Sequence, residues 1–201
     1  MQRAVELSIP FNTTQKTGTF KIEGSNPYQV VENLRGLWRT KLEDKHGHFA
    51  GYKIDEIIPI HNLSGIKIFG QVEKMRQGIR KYRHIKEADQ LPNIKLVVAE
   101  ENKLLLFDGH HSLLAYFLEG RKFLREVPYL VVSKPDYQPV STEEIAMFFP
   151  AAKRGLVKEN WRKYTVNWQS SVNNQLEQRG VNNFKELADR FRKRDESSSQ
   201  H

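Results

Sequence analysis

The chain of 201 residues contains no cysteine, which removes disulfides, thiolate nucleophiles and cysteine-ligated zinc or iron–sulfur sites together. Long apolar runs are also missing. No stretch approaches the roughly 18 apolar residues that cross a bilayer, and the opening MQRAVELSIPFNTTQ lacks the apolar centre of a signal peptide. The expectation is a cytoplasmic protein with no membrane partner. Internal repeats and low-complexity segments are absent too. What is present, 38% hydrophobic and 28% charged residues, is the composition of a folded, water-soluble protein with a sizeable core rather than of a disordered chain.

The net charge is +8, which favours polyanionic partners such as nucleic acid, nucleotides or acidic surfaces without selecting one. Its distribution is uneven: about +3 over residues 1–54, about +2 over 55–133, about −2 over 134–149 and about +5 beyond. The C-terminal part is thus the most basic, and it is the candidate contact for nucleic acid phosphates.

Residues 1–52 read as an N-terminal extension. AVELSIPF and GTFKIEG have the short apolar stretches of strands, and Val30, Leu34, Leu37 and Leu42 share a helical face behind an Asn26–Pro27 start. HGHFAG reads as a loop. Its His46 and His48 have no third ligand at metal spacing nearby.

A compact unit follows over residues 53–134. YKIDEIIPIHNL supplies a short strand, and GQVEKMRQGIRKY an amphipathic helix with Val72, Met75, Ile79 and Tyr82 on its apolar stripe. NIKLVVAEENKLLLFDG is a hairpin, Ser112 to Glu119 a helix closed by Gly120, and VPYLVVSK a last strand. PDYQPV is a linker. Residues 140–195 are expected to be helical: Ser141 and Glu144 stand at capping-box spacing, and Phe184, Leu187, Ala188 and Phe191 repeat at helical spacing after Gly180, which separates that helix from a preceding one. Trp161, Tyr164 and Trp168 read as packing residues.

The chemistry concentrates where the second hairpin strand turns into its helix, at Asp108-Gly109-His110-His111-Ser112. A glycine at a helix start lets the backbone approach a ligand, and the unpaired N–H groups there, with the helix dipole, favour an anion, phosphate above all. His111 and Ser112 add side-chain donors. Asp108 can fix a histidine tautomer, coordinate magnesium or cap the helix. Neighbouring helical side chains diverge by about 100°, so His110 and His111 do not share one metal; one faces the ligand while the other packs.

This turn and its surroundings resemble the ParB/sulfiredoxin superfamily, whose members carry a strand-to-helix turn of the type D-G-H-H-R, G-C-H-R or G-E-R-R. The likeness spans about residues 54–133. It implies an α+β fold with a small mixed-sheet core, an N-terminal extension and an α-helical C-terminal region. It also implies a nucleoside di- or triphosphate as cofactor with Mg2+, held by Gly109, His110, His111 and Ser112, with Asp108 and His111 as catalytic residues and Asp108 toward the metal.

Free serine kinases of this group phosphorylate a small hydroxyl acceptor, sulfiredoxins an oxidised cysteine, and ParB proteins hydrolyse CTP while clamping DNA; some relatives carry a nuclease label. Two positions depart from the pattern. Ser112 stands where arginine is usual, leaving Lys67, Lys74 and Arg76 as candidate cations. HNLSGIKIFGQ lacks the acid that serine kinases place before the first core helix, and Glu73 lies beyond it. His110 stands in the place of the sulfiredoxin thiol. TEEIA resembles the first helix of a helix-turn-helix, but MFFPAAKRGLVKENW offers no recognition helix. The expected function is nucleotide binding with transfer or hydrolysis of a terminal phosphate. The alternatives are a DNA-binding or nuclease protein, and an inactive interaction module.

Overall fold

The computed structural model describes residues 5–12, 17–24, 48–66, 69–85, 92–134, 137–168 and 174–198. The helix expected around Val30 to Leu42, and His46 and Lys67, lie outside them. The two N-terminal apolar stretches form an antiparallel hairpin, β1 (Val5–Asn12) and β2 (Thr17–Gly24).

The centre is a mixed sheet in the order β3-β5-β4-β6, made of β3 (Ile58–Pro59), β4 (Ile94–Val98), β5 (Leu104–Asp108) and β6 (Tyr129–Val132). β4 and β5 are the expected hairpin, antiparallel, turned by Glu101 and Asn102 at positive φ. β3 runs parallel to β5, and β6 parallel to β4. Helix α1 (Phe69–Tyr82) links β3 to β4, and α2 (His110–Leu118) links β5 to β6. The whole is α+β, with helices and a small mixed sheet.

Because strand side chains alternate, these largely apolar runs fill two cores at once. Leu96, Val98, Leu104, Leu106 and Val131 join one cluster with Val72, Ile79 and Leu113, while Val97, Leu105, Phe107, Leu130 and Val132 join the other. Tyr82 departs from the expected stripe at 66% exposure: the helix ends there and Arg83 turns to φ 67. Across the α1–α2 contact Arg76 and Arg80 both reach Glu119, each at 2.7 Å.

The C-terminal part closes both faces of the sheet. α3 (Thr142–Ala146) starts on the expected capping box, Glu144 N–H donating to Ser141 Oγ and Ser141 N–H to Glu144 Oε2. With α4 (Arg154–Asn160) it brings Ile145, Phe148, Phe149, Val157 and Trp161 onto one face; α5 (Phe184–Ser198) lays Phe184, Leu187, Ala188 and Phe191 on the other.

This region is not wholly helical, which corrects the reading of 140–195. Between α4 and α5 stands an antiparallel hairpin, β7 (Tyr164–Trp168) and β8 (Asn174–Gln178), and Gly180 therefore follows a strand rather than a helix. The reason is local and tertiary together. Tyr164-Thr165-Val166 is β-branched and aromatic, and Val166 N–H finds the Ile60 carbonyl at 2.8 Å while Ile60 N–H goes to Leu106 O at 3.0 Å. The hairpin thus lies along the outer side of the β3 segment. Among the described residues no helix is long and apolar enough to cross a membrane.

Candidate functional site

Strand β5 is buried until Asp108, where the chain emerges. Asp108 holds its own turn: Oδ1 accepts from Gly109 N–H at 2.8 Å, and Oδ2 meets Lys95 Nζ at 2.7 Å. Gly109 has φ +86, and a Cβ on it would lie 2.2 Å from the Asn93 carbonyl oxygen. Only glycine fits both the left-handed backbone and the close approach. The first helix bond back to the turn runs from Leu113 N–H to Gly109 O at 2.9 Å. The N–H groups of His110, His111 and Ser112 therefore lie ahead of the ladder, and no side chain caps them.

The two histidines part as expected. His110 is buried, and its ring meets that of His61 edge to face with centroids 4.3 Å apart; Nε2 accepts from His61 N–H at 3.4 Å. Burial, with His61, His111 and Arg179 adding to it, holds His110 well below the usual histidine range. His111 is half-buried and likewise pushed down by burial, with Nε2 enclosed and without a partner. An enclosed lone pair costs less than an enclosed N–H, which assigns the proton to Nδ1 as the nitrogen able to face a ligand. Ser112 is turned inward, 3% exposed, its Oγ 3.9 Å from Met75 Sδ on α1. What it offers at the turn is its backbone N–H.

Of the cations put forward to replace the arginine, Lys74 is exposed and Arg76 is occupied by Glu73 and Glu119. The cation at the turn is Lys95, whose signal in the sequence was a charge inside the apolar run NIKLVV. Three further groups come from outside the sequence motif. His61, at the end of the first core strand, lies with Nδ1 against the Val166 carbonyl oxygen; burial drives it down to about 4, against the opposing pull of that carbonyl and of Asp108.

Glu177 of β8 accepts from Asn62 Nδ2, Ser64 Oγ and Asn167 Nδ2 at 2.8–3.3 Å, so that although burial would raise it the carboxyl stays below its usual range. It brings a carboxylate to the loop in which HNLSGIKIFGQ has none. Arg179 donates to four backbone carbonyls, those of Pro59, Arg162, Tyr164 and Val181, and burial brings it down to about 10.

Exposed His48 is stacked on Tyr137 with ring centroids 4.2 Å apart. Among the described residues no three His, Asp or Glu side chains converge to hold a metal ion. Chemically, the turn leaves the first N–H groups of α2 without a capping side chain, with the Lys95–Asp108 ion pair beside them.

Comparison with known proteins adds no name to this geometry: no family model matches the chain, and neither a curated protein nor a solved structure matches it.

Proposed function

We propose that this chain is a nucleotide-binding protein of the ParB/sulfiredoxin type, which takes a phosphate of a nucleoside di- or triphosphate at Asp108–Ser112 and transfers or hydrolyses a terminal phosphate. The observation that carries this reading is the helix start itself. Three N–H groups stand ahead of the α2 ladder behind a glycine that no other residue replaces, and a phosphate is the ligand such a start suits best. The strand order with its two parallel pairs supports the family reading.

The donor set suits an anion and explains how the missing arginine is tolerated. With Lys95 neutralised by Asp108, affinity rests on backbone N–H groups and on His111 Nδ1. A magnesium ion would supply charge neutralisation on the phosphate. Asp108 would be its protein ligand at the turn, the remaining ligands being phosphate oxygens and water. Glu177, in reach of Asn62 and Ser64, is the carboxylate available to an acceptor hydroxyl.

A thermal-shift panel of ATP, ADP, CTP and GTP with and without magnesium tests this. At least one nucleotide is expected to raise the melting temperature, by an amount equivalent to about 1.4 kcal/mol at tenfold excess over Kd, with phosphate transfer or release then read by phosphorus NMR. His111→Ala should remove the ligand-dependent rise and leave the unliganded melting temperature nearly unchanged. No rise with any nucleotide at millimolar concentration sinks the proposal.

A further inference from the structure

The end of α1 is an exposed corner with a strained backbone. Arg83 holds a left-handed φ of 67, rare for a residue that carries a side chain. Two bonds fix it there: Arg83 N–H donates to Ile79 O at 2.8 Å, and Ile85 N–H to the Tyr116 hydroxyl at 2.9 Å. The ring of Tyr82, just before the corner, is 66% exposed, more than any other large apolar side chain among the described residues.

The charge around this ring is free to act. Lys81 Nζ lies 5.0 Å from the ring centroid, Arg83 is the next residue along the chain, and Lys74, two turns before Lys81, shares its helical face. All three cations are exposed. Arg76 and Arg80 of the same helix are committed to Glu73 and Glu119, whereas among the described residues Lys74, Lys81 and Arg83 meet no carboxylate. The more basic C-terminal part differs: Arg162 reaches Glu100 and Glu101, Arg179 and Arg194 serve backbone carbonyls, and Lys185 and Arg192 meet Asp189.

We propose that the end of α1, with Lys74, Lys81, Tyr82 and Arg83, is a contact surface for single-stranded nucleic acid. The cations meet phosphates and the Tyr82 ring stacks on a base. A duplex offers no free base face to such a ring. A lipid surface would call for an apolar helix face, and Tyr82 is the one exposed large apolar residue of α1. The inference stands apart from the nucleotide reading of the Asp108–Ser112 turn, and it moves the nucleic-acid surface away from the C-terminal part.

Fluorescence anisotropy of the full chain with a labelled oligothymidine of about 12 nucleotides tests it, between about 50 and about 200 mM salt. The unaltered protein is expected to bind the single strand more tightly than a duplex of equal length, with a logarithmic salt slope of about −2, as three neutralised phosphates require. Tyr82→Ala should weaken binding at least about fivefold and keep the slope, and Tyr82→Phe should restore the affinity. Lys74→Gln, Lys81→Gln and Arg83→Gln combined should flatten the slope, whereas Lys153→Gln with Lys158→Gln on α4 should change nothing.

No binding of the single strand at the lower salt overturns the proposal, as does a duplex bound equally well or an affinity untouched by Tyr82→Ala. Vesicles of equimolar phosphatidylcholine and phosphatidylserine bound with the same dependence on Tyr82 would assign the surface to a membrane and overturn it too. Should the triple variant fail to fold, Tyr82→Ala and Tyr82→Phe decide alone. Nucleotide-dependent melting is read separately, so that either reading can fail while the other stands.

Discussion

Lys95 and Asp108 form an asymmetric pair: the ion pair is 2.7 Å long, yet the lysine side chain is 5% exposed and the aspartate side chain 50%. The two partners are therefore not equivalent in what their removal leaves behind. Asp108→Ala strands a buried ammonium with Asn93 O at 3.3 Å as its remaining partner, and also deprives Gly109 N–H of its acceptor. A loss of about 2 kcal/mol or more is expected. Lys95→Met leaves an aspartate that water can reach and should cost less than about 1 kcal/mol. Urea unfolding of the two variants checks the order; equal losses would mean that the lysine is not the buried partner.

Gly109 and Gly120 have nearly the same left-handed φ, 86° and 84°, and differ in what surrounds them. An alanine Cβ at 120 meets nothing within 4 Å, whereas at 109 it overlaps backbone atoms of Asn93 and Ile94. Gly120→Ala should therefore cost only the conformational term, about 1 kcal/mol, and Gly109→Ala clearly more, about 3 kcal/mol or above. Melting temperatures of the pair separate strain from collision.

Acid should destabilise the fold in a window set by the buried histidines. An unfolded histidine takes up its proton near 6.5, whereas His61 in the fold does so only near 4 and His110 lies well below its ordinary value. Between those values the unfolded chain binds more protons, so stability is full above about pH 6.5 and falls toward pH 4 by up to about 1.4 kcal/mol per pH unit for each histidine. Asp108 and Glu177, whose charges favour the protonated form of His61, soften the effect, while His111 strengthens it and Arg179 acts likewise on His110. Urea midpoints from pH 7.5 to 5 should fall for the unaltered protein and fall less for His61→Asn. A flat profile contradicts the burial of this pair.

Arg179 ties together segments that are far apart in sequence. Its guanidinium satisfies carbonyls of Pro59, Arg162 and Tyr164 at 2.7–2.8 Å and Val181 at 3.3 Å. A planar fork of donors is needed to span them, and an ammonium cannot reproduce it. Arg179→Ala and Arg179→Lys should both lower stability by about 3 kcal/mol, with lysine giving little rescue. A near-neutral lysine variant, measured by denaturant unfolding, would show that charge rather than the fork holds the hairpin in place.

The strands of the sheet, the α2 start and stop and the Ser141 cap were legible because each rests on neighbours in sequence: an apolar run, a glycine, a Ser–Glu spacing. The β7–β8 hairpin was not, because its decisive contact is the Val166–Ile60 backbone bond, made across more than a hundred residues. The site divided along the same line. Asp108, Gly109, His110 and His111 were visible as a motif, whereas His61, Arg179 and Glu177 gain their surroundings only when the C-terminal strands return to the core. Lys95 lies between these cases: a lysine inside NIKLVV demands a partner, but the sequence does not say which carboxylate provides it.

Ser112 is where the motif and the fold pull furthest apart. Arginine is the residue the resembled family uses there, and restoring it invites the expectation of tighter phosphate binding. The geometry argues otherwise. The Ser112 side chain projects between α1 and α2, toward Met75 and a small hollow lined by Ile85, Asn93, Ile94, Tyr116 and Pro128. A guanidinium there would be overpacked and stripped of water, with no carboxylate among those lining residues. Ser112→Arg is therefore expected to lose about 3 kcal/mol of stability and to show no larger nucleotide-dependent rise in melting temperature than the unaltered protein. Ser112→Ala, which keeps the backbone N–H and gives up only a 3.9 Å contact to sulfur, should retain that rise in full. If arginine instead folds well and strengthens the response, the start of α2 must turn its third residue outward when a phosphate binds, and the anion site would then be built by that rotation rather than by the backbone N–H groups alone.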